Sequence, residues 1–291
     1  MITFFSAPKA FAGHIGLIQD NALSSWAALG SDVEVLLVGD EEGVQEAAAR
    51  HGFGHVGAIA ENEYGTPLVS DIFARAEAAA SHDLLCYINA DIITLSDFLP
   101  ALDRITFTKY LMLGQRIDLD VTERIDFGSP NWEEDLRKVA LRDGELHPKV
   151  GVDYYVYTRG LWRDMPAFAV GRTVYDQWLI WDALRSGTPV IDATSVVTSV
   201  HQNHERTYAS LGRESPDEQT ELHRGIEAQR NRRMLGGRER TRTLHHANWV
   251  LEPSGLRRSR SIERLYHVTR SFAKTQVCRT ARLVGWEAMG Y

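Results

Sequence analysis

The sequence predicts an α/β fold in which a mostly parallel central sheet is flanked by helices, and three observations carry that prediction. Short runs dominated by apolar residues, ITFFS, VEVLLV and LLCYI, recur along the N-terminal third of the chain. Stretches with helical spacing of about 10–15 residues lie between them, the alternation that right-handed βαβ units produce. VEVLLV and LLCYI are too continuously apolar for a half-wet strand and read as strands covered on both faces.

Taken in order, ITFFSAP opens the chain as a strand. GHIGLIQDNALSSWAAL follows, with Ile15, Ile18, Ala22, Leu23 and Trp26 at helical intervals. VEVLLVGD is a buried strand closing at Gly39-Asp40. EEGVQEAAARHG places acids first and Arg-His-Gly last, matching the helix dipole. PLVSDIFARAEAAASH is a helix with Pro67 at its start. It leads into LLCYINADIITLSDFL, a strand that ends on Asn89-Ala90-Asp91. YLMLGQRIDLDV reads as one strand running into a polar turn, NWEEDLRKVALRDG as an amphipathic helix, and GVDYYVYTRGLW as an aromatic-rich strand. VYDQWLIWDALRSG is a helix ending on Gly187, and TPVIDATSVVTSVHQNH is the final strand stretch.

At 44% apolar and 24% charged residues, the 291-residue chain has the balance of a water-soluble globular protein. No apolar run reaches the roughly 18 residues of a spanning helix. MITFFSAPKAFAGH lacks a basic start and a sustained apolar stretch, which predicts no secretory leader and a cytoplasmic protein. Cys86 and Cys278 stand far apart and suit a reducing compartment. The net charge of −7 hides an asymmetry: residues 224–291 hold 15 Lys and Arg against 5 Glu, leaving 17 basic and 34 acidic residues for 1–223. The acidic body argues against nucleic acid as a partner. We therefore expect a catalytic domain over residues 1–222 and a basic, mainly helical extension over 223–291. That extension is suited to a peripheral membrane contact, to self-association, or to docking on the body. Within it, Ile262, Leu265, Tyr266, Val268 and Phe272 read as one apolar helix face.

In an open parallel sheet, ligands sit at the carboxyl ends of the strands. Asp40, Asn89 with Asp91, and His201 with His204 all fall there. A strand-end carboxylate such as Asp91 either caps a turn or holds a divalent cation. His201 and His204, three apart after an apolar strand, are either surface imidazoles or the nitrogen ligands of the same ion. Asp176 stands at a helix start, where it is a cap or a general base toward a hydroxyl. Beside it, Tyr175 and Trp178, with Trp181 further on, offer faces for a sugar ring or anchors for the core.

The order strand–helix–strand–Asp, with NEYGTPLVSDIFARAEAAASHDLLCYINADI, resembles nucleotide-sugar glycosyltransferases of the GT-A fold, in particular the large inverting glycosyltransferase family 2. GHIGLIQDNALSSW, GDEEG, INADII, GQRIDLD, GVDYYV, DQWLIWDAL and VIDATSVVTSVHQNH together are similar to a group of bacterial glycosyltransferases over about residues 1–250. The resemblance implies a GT-A fold and transfer of a sugar from a nucleotide donor to a carbohydrate or lipid-linked acceptor, as in cell-surface polysaccharide or glycoconjugate synthesis. It implies Mn²⁺ or Mg²⁺ held by Asp91 with His201 or His204, and Asp176 as catalytic base. Pro8, Lys9 and Asp40 would border the nucleoside, and Asn62, Gly65 and Thr66 the wall beside it. Asn89 and Ala90 would complete the Asp-x-Asp position, Arg172 would face a phosphate, and Asp153 would bind sugar hydroxyls. Two departures stand out: Asn89 replaces the first acid of Asp-x-Asp, and Tyr175 stands where the larger family often has Glu. A sugar nucleotidyltransferase would need a Gly-rich basic loop after the first strand, which SAPKAFAGHIG matches poorly. A non-catalytic nucleotide- or carbohydrate-binding protein of the same fold is the third reading.

Overall fold

The computed structural model describes residues 1–204, 225–260 and 262–283. A nine-stranded sheet runs through it in the order β13-β12-β10-β6-β9-β4-β1-β2-β3. Its strands are β1 (Ile2–Ser6), β2 (Val33–Val38), β3 (Gly54–Val56), β4 (Leu84–Ile88), β6 (Leu111–Leu113), β9 (Tyr154–Thr158), β10 (Val190–Asp192), β12 (Trp249–Glu252) and β13 (Gly255–Arg258). Seven of them point one way; β9 and β13 pair antiparallel to their neighbours. The mostly parallel α/β sheet predicted from the sequence is therefore what the chain forms.

Side-chain alternation along the strands builds a core on each face. Phe5, Leu85 and Tyr87 join one cluster, which helices α3 (Val69–Ala79) and α6 (Tyr175–Arg185) cover with Ile72, Phe73, Trp178 and Leu179. Phe4, Cys86 and Ile88 join the other, covered by α1 (Gly13–Ala28), α2 (Val44–His51) and α4 (Phe98–Leu102). Removing such side chains from water is worth about 1.5–3 kcal/mol each. Cys86 is a free, buried thiol, and Cys278 lies outside the described side chains.

A second sheet, β5-β11-β7-β8, was not anticipated. It contains β5 (Ile92–Thr94), β7 (Ile117–Leu119), β8 (Glu145–Leu146) and β11 (Ser199–Gln202), with α5 (Trp132–Asp143) packed behind it through Leu136 and Ala140. The strand expected to end at Asp91 is followed by β5 in the second sheet, and two apparent single strands of the sequence divide between the sheets, β6 into β7 and β10 into β11. Gly114 shows why the passage from β6 to β7 is sharp. A Cβ there would stand 2.3 Å from the Tyr154 hydroxyl and 3.3 Å from the Thr194 nitrogen.

The sequence places a division near residue 222. Its immediate surroundings, 205–224, lie outside the described residues. Beyond them, α7 (Ile226–Leu235) is fastened to the loop before α6, where the buried Asn231 amide bridges the backbone of Ala169. The β12–β13 hairpin then extends the main sheet at β10. After the hairpin, α8 (Ile262–Leu283) follows as a basic helix. No helix among the described residues is long and apolar enough to cross a membrane.

Candidate active site

A cavity of about 660 Å³ opens at the carboxyl ends of β1, β2 and β4. Each passage from the large sheet to the small one delivers a polar group to its floor. Asn89-Ala90-Asp91 is the β4–β5 passage, Arg116 the β6–β7 passage, and His201 sits in β11. Asp153 joins them because β9 runs antiparallel, so its start lies at the end where β4 finishes; the Asn89 N–H donates to the Asp153 carbonyl at 2.9 Å.

Asp91, His201 and His204 each offer a ligand atom, and the three atoms lie within 4.8 Å of one another. His204 Nε2 is 3.1 Å and His201 Nε2 is 3.7 Å from Asp91 Oδ2. Asp91 Oδ1 is buried with no hydrogen-bond partner among the described residues. Burial acts to raise the Asp91 pKa, but the His204 hydrogen bond and the charges of His201, His204 and Arg116 outweigh it and hold the carboxylate ionised. Burial pushes the His201 pKa down, which favours the neutral imidazole a metal requires. An ionised carboxylate with an orphaned oxygen beside two imidazoles fits Mn²⁺ or Mg²⁺, with the nitrogens favouring Mn²⁺.

Behind these ligands runs a chain of paired charges. Asn89 Nδ2 donates to Asp153 Oδ1 at 2.7 Å, and Asp153 Oδ2 accepts from Arg116 Nη1. Arg116 Nε donates to Asp118 Oδ1 at 2.7 Å, and the same oxygen is 3.1 Å from His201 Nδ1. His147 Nδ1 meets Asp118 Oδ2 at 2.7 Å. Burial works against the Arg116 charge, yet Asp153 and Asp118 raise its pKa above the usual value, so it stays a guanidinium. Asp91, Asp118 and Asp153 against Arg116 leave two negative charges in excess, a field that attracts a dication.

The sequence reading missed Arg116, Asp118 and Gln202. In HQNH, Gln202 points away from His201, as period-2 alternation requires. It is fully buried, and its amide donates to Ile18 and Asp91 carbonyls while accepting from Asn21 at 3.0 Å. That amide fastens β11 to α1 and to the Asp91 turn. A buried polar residue between two candidate ligands was the signal available.

The remaining expected residues divide. Pro8, Lys9, Asp40, Gly65, Thr66, Ala90, Arg172 and Tyr175 line the cavity with those above. Gln19 holds the Pro8-Lys9 turn by bonding both the N–H and the carbonyl of Lys9 at 2.8 and 2.9 Å. Asp40 accepts from the Ala58 N–H. Asn62 does not face the cavity; its side-chain oxygen accepts from the Tyr64 and Thr66 N–H groups and shapes the turn in which Gly65 takes φ +74°. Arg172 is paired with Glu227 of α7 at 2.5 Å, and Glu227 also accepts from Asn62 at 2.7 Å. Asp153 is committed to Asn89 and Arg116 rather than standing free for a sugar.

Trp178 corrects an expectation. It is 4% exposed and packs edge-on against Phe168 in the core, so it offers no face to a sugar ring. Trp181 is stacked by Arg185 and Arg240. The aromatic on the cavity wall is Tyr175, whose phenol is hydrogen-bonded to Tyr87. Next to it Asp176 occupies the first turn of α6, adjacent to the wall but not on it. Desolvation raises its pKa to about 6, and the Asp153 charge adds to the effect. The turn is entered through Val174 at φ +81°, an unfavourable conformation for a β-branched residue and one that clusters at functional sites.

No family model and no curated protein matches the chain. Among solved structures it is similar to glucosyl-3-phosphoglycerate synthase from Mycobacterium tuberculosis in complex with Mg²⁺ and uridine diphosphate, at 18% identity and TM-score 0.43, covering 72% of this chain and 73% of that one. It is also similar to a mannosyltransferase from Pyrobaculum calidifontis in complex with GDP-mannose and Mn²⁺, at 14% identity and TM-score 0.45, covering 72% of this chain and 59% of that one. Identities this low do not carry chemistry from one chain to another.

Proposed function

We propose that the protein is a metal-assisted glycosyltransferase of the GT-A type, taking a sugar from a nucleoside diphosphate donor to a hydroxyl acceptor. The observation that carries this reading is the Asp91–His201–His204 cluster, with its orphaned carboxylate oxygen, on the floor of a cavity large enough for a nucleotide sugar. Asp91, His201 and His204 would hold Mn²⁺ or Mg²⁺. A cation held there would offset the charge that develops on the departing diphosphate.

The chain's own groups supply the rest. Pro8, Lys9 and Asp40 border the nucleoside end, and the Asn62–Thr66 turn walls it. Lys9 and Arg172, the latter held by Glu227, line the cavity and offer cationic groups to a diphosphate. Asp176, ionised above about pH 6, is the base that takes the acceptor proton. Attack on the face opposite the leaving group inverts the anomeric centre. The Asp153–Arg116 pair holds the floor of the cavity against that movement of charge.

A thermal-shift screen of nucleoside diphosphates and nucleotide sugars, with and without Mn²⁺, tests the reading. The expected result is a joint stabilisation by one nucleotide and Mn²⁺ that Asp91→Asn removes. Stabilisation by none of the nucleotides, or an equal shift in Asp91→Asn, would overturn it. Release of pyrophosphate from a nucleoside triphosphate would instead identify a nucleotidyltransferase.

A further inference from the structure

Among the described side chains, helix α8 rests on the body through one side. Arg264, His267, Val268 and Ser271 are half-buried; His246 Nε2 is 2.9 Å from Ser271 Oγ, and His267 stacks on His245 with centroids 4.0 Å apart. Val268, half-buried, lies at the border between this side and the apolar face. The opposite side carries Ile262, Leu265, Tyr266 and Phe272, exposed by 87%, 61%, 57% and 64%. Their spacing of i, i+3, i+4 and i+10 keeps them on a single stripe along the helix. Exposed apolar residues on one stripe differ from the scattered ones found on any soluble surface.

The charge around this stripe is equally one-sided. Residues 257–283 contain eight Lys and Arg and one Glu. Arg257, Arg258, Arg260 and Arg270 are exposed, at the hairpin end and along the helix, with Arg257 paired to Glu252 and Arg258 lying over Trp249. Residues 1–223 carry 17 basic against 34 acidic residues, so the body is repelled by an anionic surface that this segment attracts. Two copies meeting stripe to stripe would bring like charge together, which disfavours self-association through α8.

We propose that α8 is an interfacial helix that docks the protein onto an anionic phospholipid surface, its apolar stripe entering the headgroup region and its arginines facing lipid phosphates. Such binding scales with buried apolar area and with attraction to anionic lipid together. The proposal stands on α8 and the hairpin alone and does not depend on the chemistry assigned to the cavity.

Co-sedimentation of the full chain with vesicles decides it, comparing phosphatidylcholine alone with mixtures holding about a third phosphatidylglycerol. We expect pelleting with the anionic vesicles, weakening at least tenfold between roughly 0.1 and 0.5 M salt. Leu265→Glu with Phe272→Glu should abolish it; both sites are solvent-exposed, and an unchanged melting temperature verifies the fold. A second variant, Arg257→Gln with Arg258→Gln, Arg260→Gln and Arg270→Gln, should bind both vesicle types alike and weakly. Absence of pelleting, or equal pelleting by the Leu265/Phe272 variant, overturns the proposal. So does a dimer in light scattering that the same variant dissolves while vesicles bind nothing, which would give the stripe to a second copy.

Discussion

Asn89 gives its side-chain amide to Asp153 Oδ1 at 2.7 Å, across the antiparallel pair that Ile88 and Tyr154 begin. An acid at position 89 would set two carboxylates in contact, because the other Asp153 oxygen is already taken by Arg116. Only a donor completes this arrangement. The amide at the first place of the Asp-x-Asp position thus has a local cause: the carboxylate that accompanies Asp91 is contributed by Asp153, just before β9, and held there by Asn89.

Replacing that donor should be costly in proportion to charge. Asn89→Asp is expected to lower stability by about 1–3 kcal/mol near pH 8, from a lost charge-assisted bond and a new repulsion. Near pH 4 the deficit should shrink as one of the two carboxyls takes a proton. Denaturant unfolding at both pH values measures it. Wild-type stability of the variant near pH 8 would show that Asp153 does not depend on the amide.

The same relationship marks how far the sequence could be read. Elements with a clear period or an unbroken apolar run, such as α1, α3, α6, β2 and β4, were legible because the core they bury is encoded locally. Asp91 and the two histidines were legible as strand-end groups. The changes of sheet were not, since a polar break such as Gly114-Gln115-Arg116 or Ala193-Thr194-Ser195 looks alike in any turn and does not say which strand the chain pairs with next. Arg116 and Asp118 were hidden for the same reason, their roles depending on pairings with residues far along the chain. Trp178 misled because a helix-start aromatic looks alike whether it faces a ligand or, as here, Phe168 in the core.

Asp118 is predicted to position His201 without touching the ion. It receives Arg116 and His147 at 2.7 Å each and places an oxygen 3.1 Å from His201 Nδ1, an ion-pair distance outside hydrogen-bond geometry, while Nε2 is turned toward Asp91. Outer carboxylates of this kind set the tautomer and the orientation of a ligand imidazole. Asp118→Asn should therefore weaken Mn²⁺ binding about 10–100-fold in calorimetry. Asp91→Asn should eliminate it. An unchanged Mn²⁺ affinity in Asp118→Asn would remove the residue from the site's support.

Gly114 tests the passage between β6 and β7. Adding one methyl there meets the hydroxyl of Tyr154, a side chain 1% exposed with little room to move, and the Thr194 backbone. Gly114→Ala should cost about 1–3 kcal/mol by overpacking. Because Arg116 follows two residues later, we also expect weaker Mn²⁺ binding than the stability loss alone would produce. Equal melting temperatures for variant and wild type would show that the passage has slack.

Asp176 links stability to activity through one proton. Its pKa stands at about 6 in the folded chain against an ordinary 3.8, so the native state keeps a proton that the unfolded chain releases across that interval. Stability contributed by this group is then present at low pH and falls as pH rises from about 4 to 6, remaining low above. Asp176→Asn, always neutral, should raise the melting temperature relative to wild type at about pH 8 and change it little near pH 4. As the proposed base, the same residue must be ionised to work, so kcat/KM should decline below about pH 6, and Asp176→Asn should lose on the order of 10²–10⁴ in turnover. The two readouts move in opposite directions, a pattern that general damage to the fold does not produce. Near-normal turnover in a variant that has gained stability would leave Asp176 a buried acid at a helix start and nothing more.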